Sequence, residues 1–304
     1  MLTKDVITKL FSEKLISKAK LQSRNVVASY RNDALATVIN AHGLRSTHEE
    51  ADTKLLLHAT HAAKRRAEQI RIYSPDTDIS VLAIRRALIL PDDTVFVTLG
   101  PHKREISVRK IFDALGVDNV AALPGLHALP GADIAGSFAG KAKTSFWKRF
   151  MDTPKEILQA LTALGETEEI PNDVFRNIEA FICSVYATLK HHQTFDMANL
   201  RWWFYTNRQA KGKNMPPTSA SLRPAIRRAH FQCIECYRDI VAYPNLSSPS
   251  QYGWSMVNGK YEAVMCDLPC APSEVIDVIR CSCKTGRCAP PCKCANEKPP
   301  LPCT

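Results

Sequence analysis

Residues 49 to 115 alternate between helix-like and strand-like stretches, and this alternation constrains the fold more than any other feature. Apolar residues recur at helical spacing over residues 49–68, 79–90 and 108–115. Short runs rich in β-branched and aromatic residues, at 70–74 and 93–100, separate these stretches. Strands that alternate with helices are typical of an α/β domain in which helices cover a largely parallel sheet. We therefore predict an α/β fold for this part of the chain.

The segments on either side of this region carry different patterns. Residues 1–30 predict an amphipathic helix followed by a short strand at 25–30. Beyond about residue 151 helical spacing dominates, and Asn258-Gly259 is a favoured two-residue hairpin turn. We predict three parts, namely an α/β domain at 1–152, a mainly helical region with a small hairpin at 153–275, and a cysteine-rich tail at 276–304. The helices predicted in the second part are 155–164, 174–190, 199–205 and 222–237.

The composition limits the classes of protein to which this chain can belong. Its 304 residues and 45% hydrophobic content permit the buried core of one large domain or two modest ones. The first residues lack the apolar segment of a signal peptide, and no run of about 18 apolar residues predicts a membrane span. We therefore expect an intracellular protein with reduced thiols and no membrane partner. The net charge of +10 favours a polyanionic partner, for which nucleic acid is our prediction.

Acidic residues cluster at three places where an α/β sheet forms ligand sites. Residues 47–53 (THEEADT) open a predicted helix, residues 74–78 (SPDTD) follow a predicted strand, and residues 129–133 (LPGAD) precede a segment with glycines and lysines. Because ligands bind beyond the carboxyl ends of parallel strands, we expect these acids to converge. Carboxylates that meet without basic partners repel one another, and Mg²⁺ or Mn²⁺ removes that repulsion. The candidate catalytic residues are Glu50, Asp52, Asp76, Asp78 and Asp133.

Each acidic stretch also has a purely structural interpretation. Residues 47–50 have the spacing of a helix capping box, and a carboxylate at position 52 favours a helix N-terminus on electrostatic grounds alone. Residues 76–78 are compatible with an Asx turn, and Asp133 with a simple turn. A zinc-protease motif H-E-x-x-H is excluded, because Asp52 occupies the position of its second histidine.

The order and spacing of these acids resemble the PIN-like nucleases of the flap-endonuclease superfamily. In that family an acidic pair opens a helix, a D-x-D pair follows the next strand, and a G-x-D stands before a turn rich in glycine and lysine. These positions hold divalent metals, which activate water and steady the leaving oxygen of a phosphodiester. The resemblance implies a three-layer fold with a mostly parallel central sheet, and metal-dependent cleavage of DNA. It assigns the metal ligands to Glu50 with Asp52, to Asp76 with Asp78, and to Asp133.

Residues 136–143 (GSFAGKAK) resemble the turn with which that family grips DNA phosphates beyond the cut. Glycines allow a phosphate to approach the backbone closely, and a helix N-terminus supplies hydrogen-bond donors. The candidate nucleic-acid contacts are therefore Gly140, Lys141 and Lys143. A plain solvated turn is the alternative.

Residues 46 to about 150 resemble a narrower group, the transposon-associated or domesticated metazoan PIN-like proteins. The motifs SxHEEADTxLLLHAxHAA, SPDTDxxVL, VFVTLG and LPGLHALxGxD occur there in that order. This resemblance implies a transposon-derived protein. We further expect the protein to be nuclear and to require no small-molecule cofactor. The family's further aspartate on the first strand is expected upstream of residue 1, which makes the α/β domain N-terminally incomplete. Residues 131–136 (GADIAG) depart from the more usual GCDTTS of the group.

The tail carries cysteines at the spacing C-x-C-x4-C-x3-C-x-C-x8-C. A C-x-C pair closes a disulfide only with severe strain, whereas thiolates that bind zinc accept this spacing. The pattern resembles the first six cysteines of the tesmin-type CXC motif, a nine-cysteine module that clusters zinc and binds DNA. A disordered cysteine-rich end is the alternative. The candidate zinc ligands are Cys281, Cys283, Cys288, Cys292, Cys294 and Cys303.

Two other groups of residues leave a choice of interpretation. Residues 201–205 (RWWFY) are compatible with a stacking surface for bases, but we predict a buried helix face. Cys233, Cys236, Cys266 and Cys270 offer thiolates for a second zinc site, without a family pattern to support it.

The sequence leaves two functions open. The first is a metal-dependent phosphodiesterase that acts on DNA through the five acids. The second is a catalytically inactive descendant that binds DNA or a protein and keeps the zinc-binding tail.

Overall fold

The computed structural model describes residues 4–38, 41–48, 51–99, 103–131, 138–187, 196–207 and 215–268. These residues form a mixed α/β structure with small sheets. Its helices are α1 (Lys4–Leu21), α2 (Ala51–Lys64), α3 (Thr77–Arg85), α4 (Val108–Leu115), α5 (Val117–Ala128), α6 (Lys143–Phe150), α7 (Lys155–Ala163), α8 (Asn172–Tyr186), α9 (Met197–Thr206) and α10 (Ser219–Tyr237). Its strands are β1 (Val27–Tyr30), β2 (Asp33–Ala36), β3 (Arg71–Ser74), β4 (Val95–Thr98), β5 (Glu105–Ser107), β6 (Trp254–Val257) and β7 (Lys260–Ala263).

Helix α1 packs on the hairpin of β1 and β2. The predicted N-terminal helix is confirmed but ends at Leu21, and the predicted strand at 25–30 is confirmed as β1. The two strands pair antiparallel, with Val27 opposite Ala36. Of the apolar residues that make this helix amphipathic, Ile16 is buried, whereas Val6, Leu10, Phe11 and Leu15 are exposed.

The central sheet has the strand order β3-β4-β5. Burial alternates along β3, with Ile72 and Ser74 facing the core. Strands β3 and β4 are parallel, and α3 lies in the crossover between them. Strand β5 is antiparallel to β4, because the connection over residues 99–104 is too short for a crossover and can only turn the chain back. The described sheet is therefore mixed rather than mostly parallel.

The buried core runs without interruption from α2 to α10. Helix α5 lies at its centre and packs on α3, α7 and α10. Gly125 permits this arrangement, because a Cβ there would lie 2.3 Å from the carbonyl oxygen of Leu161 on α7. The predicted helices of the second part are confirmed as α7 to α10 within the described ranges. The proposed boundary at residue 152 stays a prediction.

The segment after α10 anchors the two helices that carry candidate acids. Arg86, at the C-cap of α3, donates from Nε to both carboxylate oxygens of the fully buried Asp239 at 3.2 Å. His48, just before α2, donates from Nε2 to the carbonyl of Val241 at 2.7 Å. The backbone N–H of Thr47 donates to the carbonyl of Ala242 at 2.9 Å. The start of α2 and the end of α3 are thus held by one short stretch of chain.

The predicted C-terminal hairpin is confirmed as β6 and β7. Its turn residues Asn258 and Gly259 have φ angles of 50° and 75°, as a type I′ turn requires. Within the described ranges, no helix is long and apolar enough to cross a lipid bilayer.

Candidate metal centre

Asp76 and Asp78 lie at the junction between β3 and α3. Asp76 is the N-cap of α3, and its carboxylate accepts a hydrogen bond from the backbone N–H of Asp78 at 3.0 Å. The backbone N–H of Asp76 in turn donates to the hydroxyl of the buried Ser74 at 3.0 Å. The predicted Asx turn at residues 76–78 is therefore confirmed, and it also caps α3. The same turn also directs both carboxylates to one end of the parallel strand pair.

Asp52 brings a third carboxylate to this place from the first turn of α2. One carboxylate oxygen from each of Asp52, Asp76 and Asp78 lies within 4.8 Å of the other two. Asp52 and Asp78 are half-buried and Asp76 is exposed, so the cluster opens to solvent on one side. We call these three residues the acidic triad. The N-terminal ends of α2 and α3 both favour negative charge here.

The spacing of the acidic triad fits a divalent cation. Mg²⁺ binds oxygen at about 2.0–2.1 Å, so two ligands on opposite sides of the ion are about 4.2 Å apart. Ca²⁺, at about 2.3–2.6 Å, sets them about 5 Å apart. A separation of up to 4.8 Å is compatible with either ion after a small adjustment of side chains. The acidic triad is therefore able to hold a metal ion, and its geometry leaves the choice of ion open.

Asp78 also contacts His127, a residue that the sequence analysis did not assign to the site. His127 lies in the last turn of α5, and its Nε2 is 2.6 Å from Oδ1 of Asp78. The hydrogen bond from His127 is the main cause that lowers the pKa of Asp78, against the opposing effect of burial. The positive charge of Lys143 lowers the pKa further. Asp78 is therefore ionised at neutral pH, as a metal ligand must be.

The three predicted nucleic-acid contacts have different surroundings. Lys143 is exposed at the first position of α6, and its charge acts on Asp78. Lys141 points elsewhere, with its Nζ 5.0 Å from the ring centre of Tyr186 and its pKa lowered by burial. Gly140 has a left-handed φ of 67° and open space around it. Of the two lysines, Lys143 is thus the one that the structure brings to the acidic triad.

Several other predicted residues lie outside the described ranges. These are Glu50 and Asp133 of the acidic set and the zinc ligands Cys281, Cys283, Cys288, Cys292, Cys294 and Cys303. Their roles stay predictions. Among the described residues, the acidic triad is the one group of three or more acids, histidines or cysteines close enough to share an ion.

A second zinc site at the cysteines of α10 therefore has no support within the described ranges. Cys233 is fully buried in the core, and burial raises its pKa well above the ordinary value. Burial also raises the pKa of Cys236 to about 12. Both thiols are therefore protonated at neutral pH in the absence of a metal ion, and Cys270 lies outside the described residues, so the second zinc site stays a prediction.

The aromatic stretch on α9 is more exposed than predicted. Met197 and Leu200 in its first turns are buried, but Trp202 and Tyr205 are exposed, with ring centres 5.9 Å apart. The prediction of a buried helix face is therefore wrong for these two rings. The reason is that consecutive aromatic residues spread around the helix, so one buried face cannot accommodate all of them.

Comparison with known proteins gave no match to a protein-family model, a curated protein or a solved structure.

Proposed function

We propose that this chain is a metal-dependent phosphodiesterase that acts on nucleic acid. The observation that carries this proposal is the acidic triad, which joins carboxylates from two helix starts at the end of a parallel strand pair. Ligands of open α/β sheets bind at this edge. The net charge of +10 supports a polyanionic substrate.

Each described residue of the site has a role in this proposal. Asp52, Asp76 and Asp78 hold Mg²⁺ or Mn²⁺. His127 orients Asp78 through their 2.6 Å contact. Lys143 attracts a substrate phosphate to the site by its charge.

A divalent cation held by Asp52, Asp76 and Asp78 would supply positive charge that stabilises the departing oxygen and lowers the pKa of the attacking water. In the overall reaction, water adds to phosphorus, the bond from phosphorus to one sugar oxygen breaks, and that oxygen leaves with a proton. No part of this reaction requires an oxidant, a reductant or an organic cofactor.

The proposal has finer parts that rest on sequence resemblance. We propose that the fold is PIN-like, that the substrate is DNA, and that the protein is nuclear and transposon-derived. We also propose that the six tail cysteines hold zinc, for which their C-x-C spacing is the support. Glu50 and Asp133 would add ligands to the acidic triad.

A second candidate is a module that binds nucleic acid or a protein without cleavage. The observation that favours it is the close contact between His127 and Asp78. This contact engages Oδ1 of Asp78, which would otherwise be available to a metal ion. Such a protein would keep the fold and the basic character but have no hydrolytic activity.

The test is cleavage of single-stranded, branched and duplex DNA by the purified full chain with Mg²⁺ or Mn²⁺. Asp76→Asn is the informative variant, because asparagine caps a helix as well as aspartate does but lacks the charge. Loss of an outer-shell partner of a metal site costs about 10–100-fold in activity, so loss of a ligand is expected to reduce cleavage at least about a hundredfold. Asp113→Asn, at an exposed carboxylate on α4, is the matched control and should cleave like the wild type.

The outcomes separate the two candidates. Cleavage that persists in Asp76→Asn at the wild-type rate would refute the site. Binding of DNA without cleavage under either metal would establish the second candidate instead.

A further inference from the structure

A cavity of about 280 Å³ adjoins the acidic triad, between α3, α5 and α6. His127 connects the two features, because its imidazole lines the cavity and also contacts Asp78. Lys143 lines the same cavity, and its charge acts on Asp78. A ligand in the cavity would therefore lie next to anything bound at the acidic triad.

The inner walls of the cavity are apolar and include one large aromatic face. Leu123, Leu126 and Val81 line it together with the indole of Trp147. Trp147 is 42% exposed, yet its ring is supported by the fully buried Phe150, with ring centres 5.8 Å apart. An exposed tryptophan held in this way offers a planar surface that is already in place before a ligand arrives.

Three polar side chains line the cavity, and two of them, His127 and Lys143, also act on Asp78. They are His127 on α5 and Lys143 with Thr144 in the first turn of α6. Ala142, the N-cap of α6, makes no side-chain capping bond, and a helix N-terminus favours an anion. The cavity thus combines an apolar, aromatic interior with a cationic rim.

This combination matches one nucleotide better than other ligands. The volume of the cavity is near the lower limit of about 300 Å³ for small-molecule pockets, which suits one planar ring system. A base against Trp147 would place its own phosphate towards Lys143 and the acidic triad. An apolar ligand without an anionic group would leave the cationic rim without a role.

We propose that this cavity binds one unpaired nucleobase of the strand whose phosphate is bound at the acidic triad. This inference rests on the proposed function and adds the class of substrate. A base in a duplex is stacked on both faces and cannot enter such a cavity, so the substrate is single-stranded or locally unpaired nucleic acid. Trp147 is then a substrate-binding residue that stacks on the base.

The test compares two ligands that differ only in their bases. One is a short oligothymidylate, and the other is an abasic deoxyribose-phosphate oligomer of equal length. Binding of each to the full chain is measured in Ca²⁺, which permits binding while chemistry is slow. We expect the wild type to bind oligothymidylate at least about fivefold more tightly, the lower end of what one base–aromatic stack provides.

Three variants assign this preference to the cavity. Trp147→Ala should bind the two oligomers equally, and Trp147→Phe should restore part of the preference because a ring remains. Trp202→Ala, at the exposed tryptophan of α9, is the matched control and should keep the wild-type preference. Far-UV circular dichroism checks that Trp147→Ala is folded.

The outcomes distinguish this inference from the proposed function. The cavity assignment would be overturned if the wild type bound both oligomers equally. It would also be overturned if Trp147→Ala kept the wild-type preference for oligothymidylate. Mn²⁺ binding without DNA is measured in parallel and should be unchanged in Trp147→Ala. If the wild type binds no Mn²⁺, the proposed function fails whatever the oligomers show.

Discussion

The ion pair of Arg86 with Asp239 is the contact for which the effect of a mutation can be worked out most fully from burial. Asp239 is fully buried, and the Arg86 side chain is 17% exposed. In Asp239→Ala the guanidinium would keep only a long hydrogen bond to the carbonyl of Tyr237, at 3.4 Å. Removal of one partner from a buried pair costs about 3–5 kcal/mol, because the other charge stays buried without compensation.

This loss is large relative to the stability of a typical domain. The free energy of unfolding is about 5–15 kcal/mol, so Asp239→Ala would remove a substantial part of it. With a urea dependence of about 2 kcal/mol per molar, the unfolding midpoint should fall by about 2 M. Because Arg86 ends the helix that begins with Asp76 and Asp78, Mn²⁺ affinity should fall as well.

Asp92→Ala is the matched control for this experiment. Asp92 also accepts a hydrogen bond from an arginine, with Nε of Arg109 at 2.8 Å, but its side chain is 74% exposed. Exposed pairs contribute about 1 kcal/mol or less. Urea unfolding followed by circular dichroism compares the two variants. The reasoning is refuted if Asp239→Ala is no less stable than Asp92→Ala.

Two further predictions concern packing and protonation. Gly125→Ala should lower the free energy of unfolding by about 1–3 kcal/mol. The added methyl group would lie 2.3 Å from the Leu161 carbonyl oxygen, and the gain in helix propensity of about 1 kcal/mol does not offset this clash. Gly43→Ala, which adds a methyl group in open space, is the control and should leave the free energy of unfolding unchanged in the same urea assay. His230 is buried with a lowered pKa, and its Nδ1 accepts the backbone N–H of Gly165 at 2.9 Å. The folded state therefore binds fewer protons there than the unfolded chain, and stability should fall as pH drops below the ordinary pKa of 6.5. His230→Gln should reduce this pH dependence, and an unchanged slope would show that another group causes it.

Local patterns explain most of what could be predicted of the fold. Helices α2 and α4 and strands β3 and β4 have strong periodicity and clear breaks, and each was found close to its predicted place. Helix α5 was missed, because Pro124 and Gly125 in its middle are typical of a turn. The glycine is explained only by α7 packing against it. Strand β5 has three residues, too few for a recognisable alternation.

For the candidate site, too, the sequence predicts what local structure determines but not which side chains are brought together by the tertiary fold. Convergence of Asp52 with Asp76 and Asp78 was predictable, since strand ends and helix starts meet at one edge of a sheet. His127 was not predictable, because a lone histidine in an apolar helix gives no sign of its neighbours. The sequence predicted Lys143 as a phosphate contact, but it gave no sign that the charge of Lys143 acts on Asp78.

The central claim is that the acidic triad binds a divalent cation. The most direct measurement is a titration of the full chain with Mn²⁺ after zinc in excess of the tail cysteines has been removed, with electron paramagnetic resonance reporting the free Mn²⁺. Thiolates prefer zinc to manganese, so Mn²⁺ uptake reports the carboxylates. We predict that the wild type and Asp113→Asn bind Mn²⁺ equally and that Asp76→Asn binds it at least about tenfold more weakly. Equal Mn²⁺ affinity of the wild type and Asp76→Asn would contradict the claim.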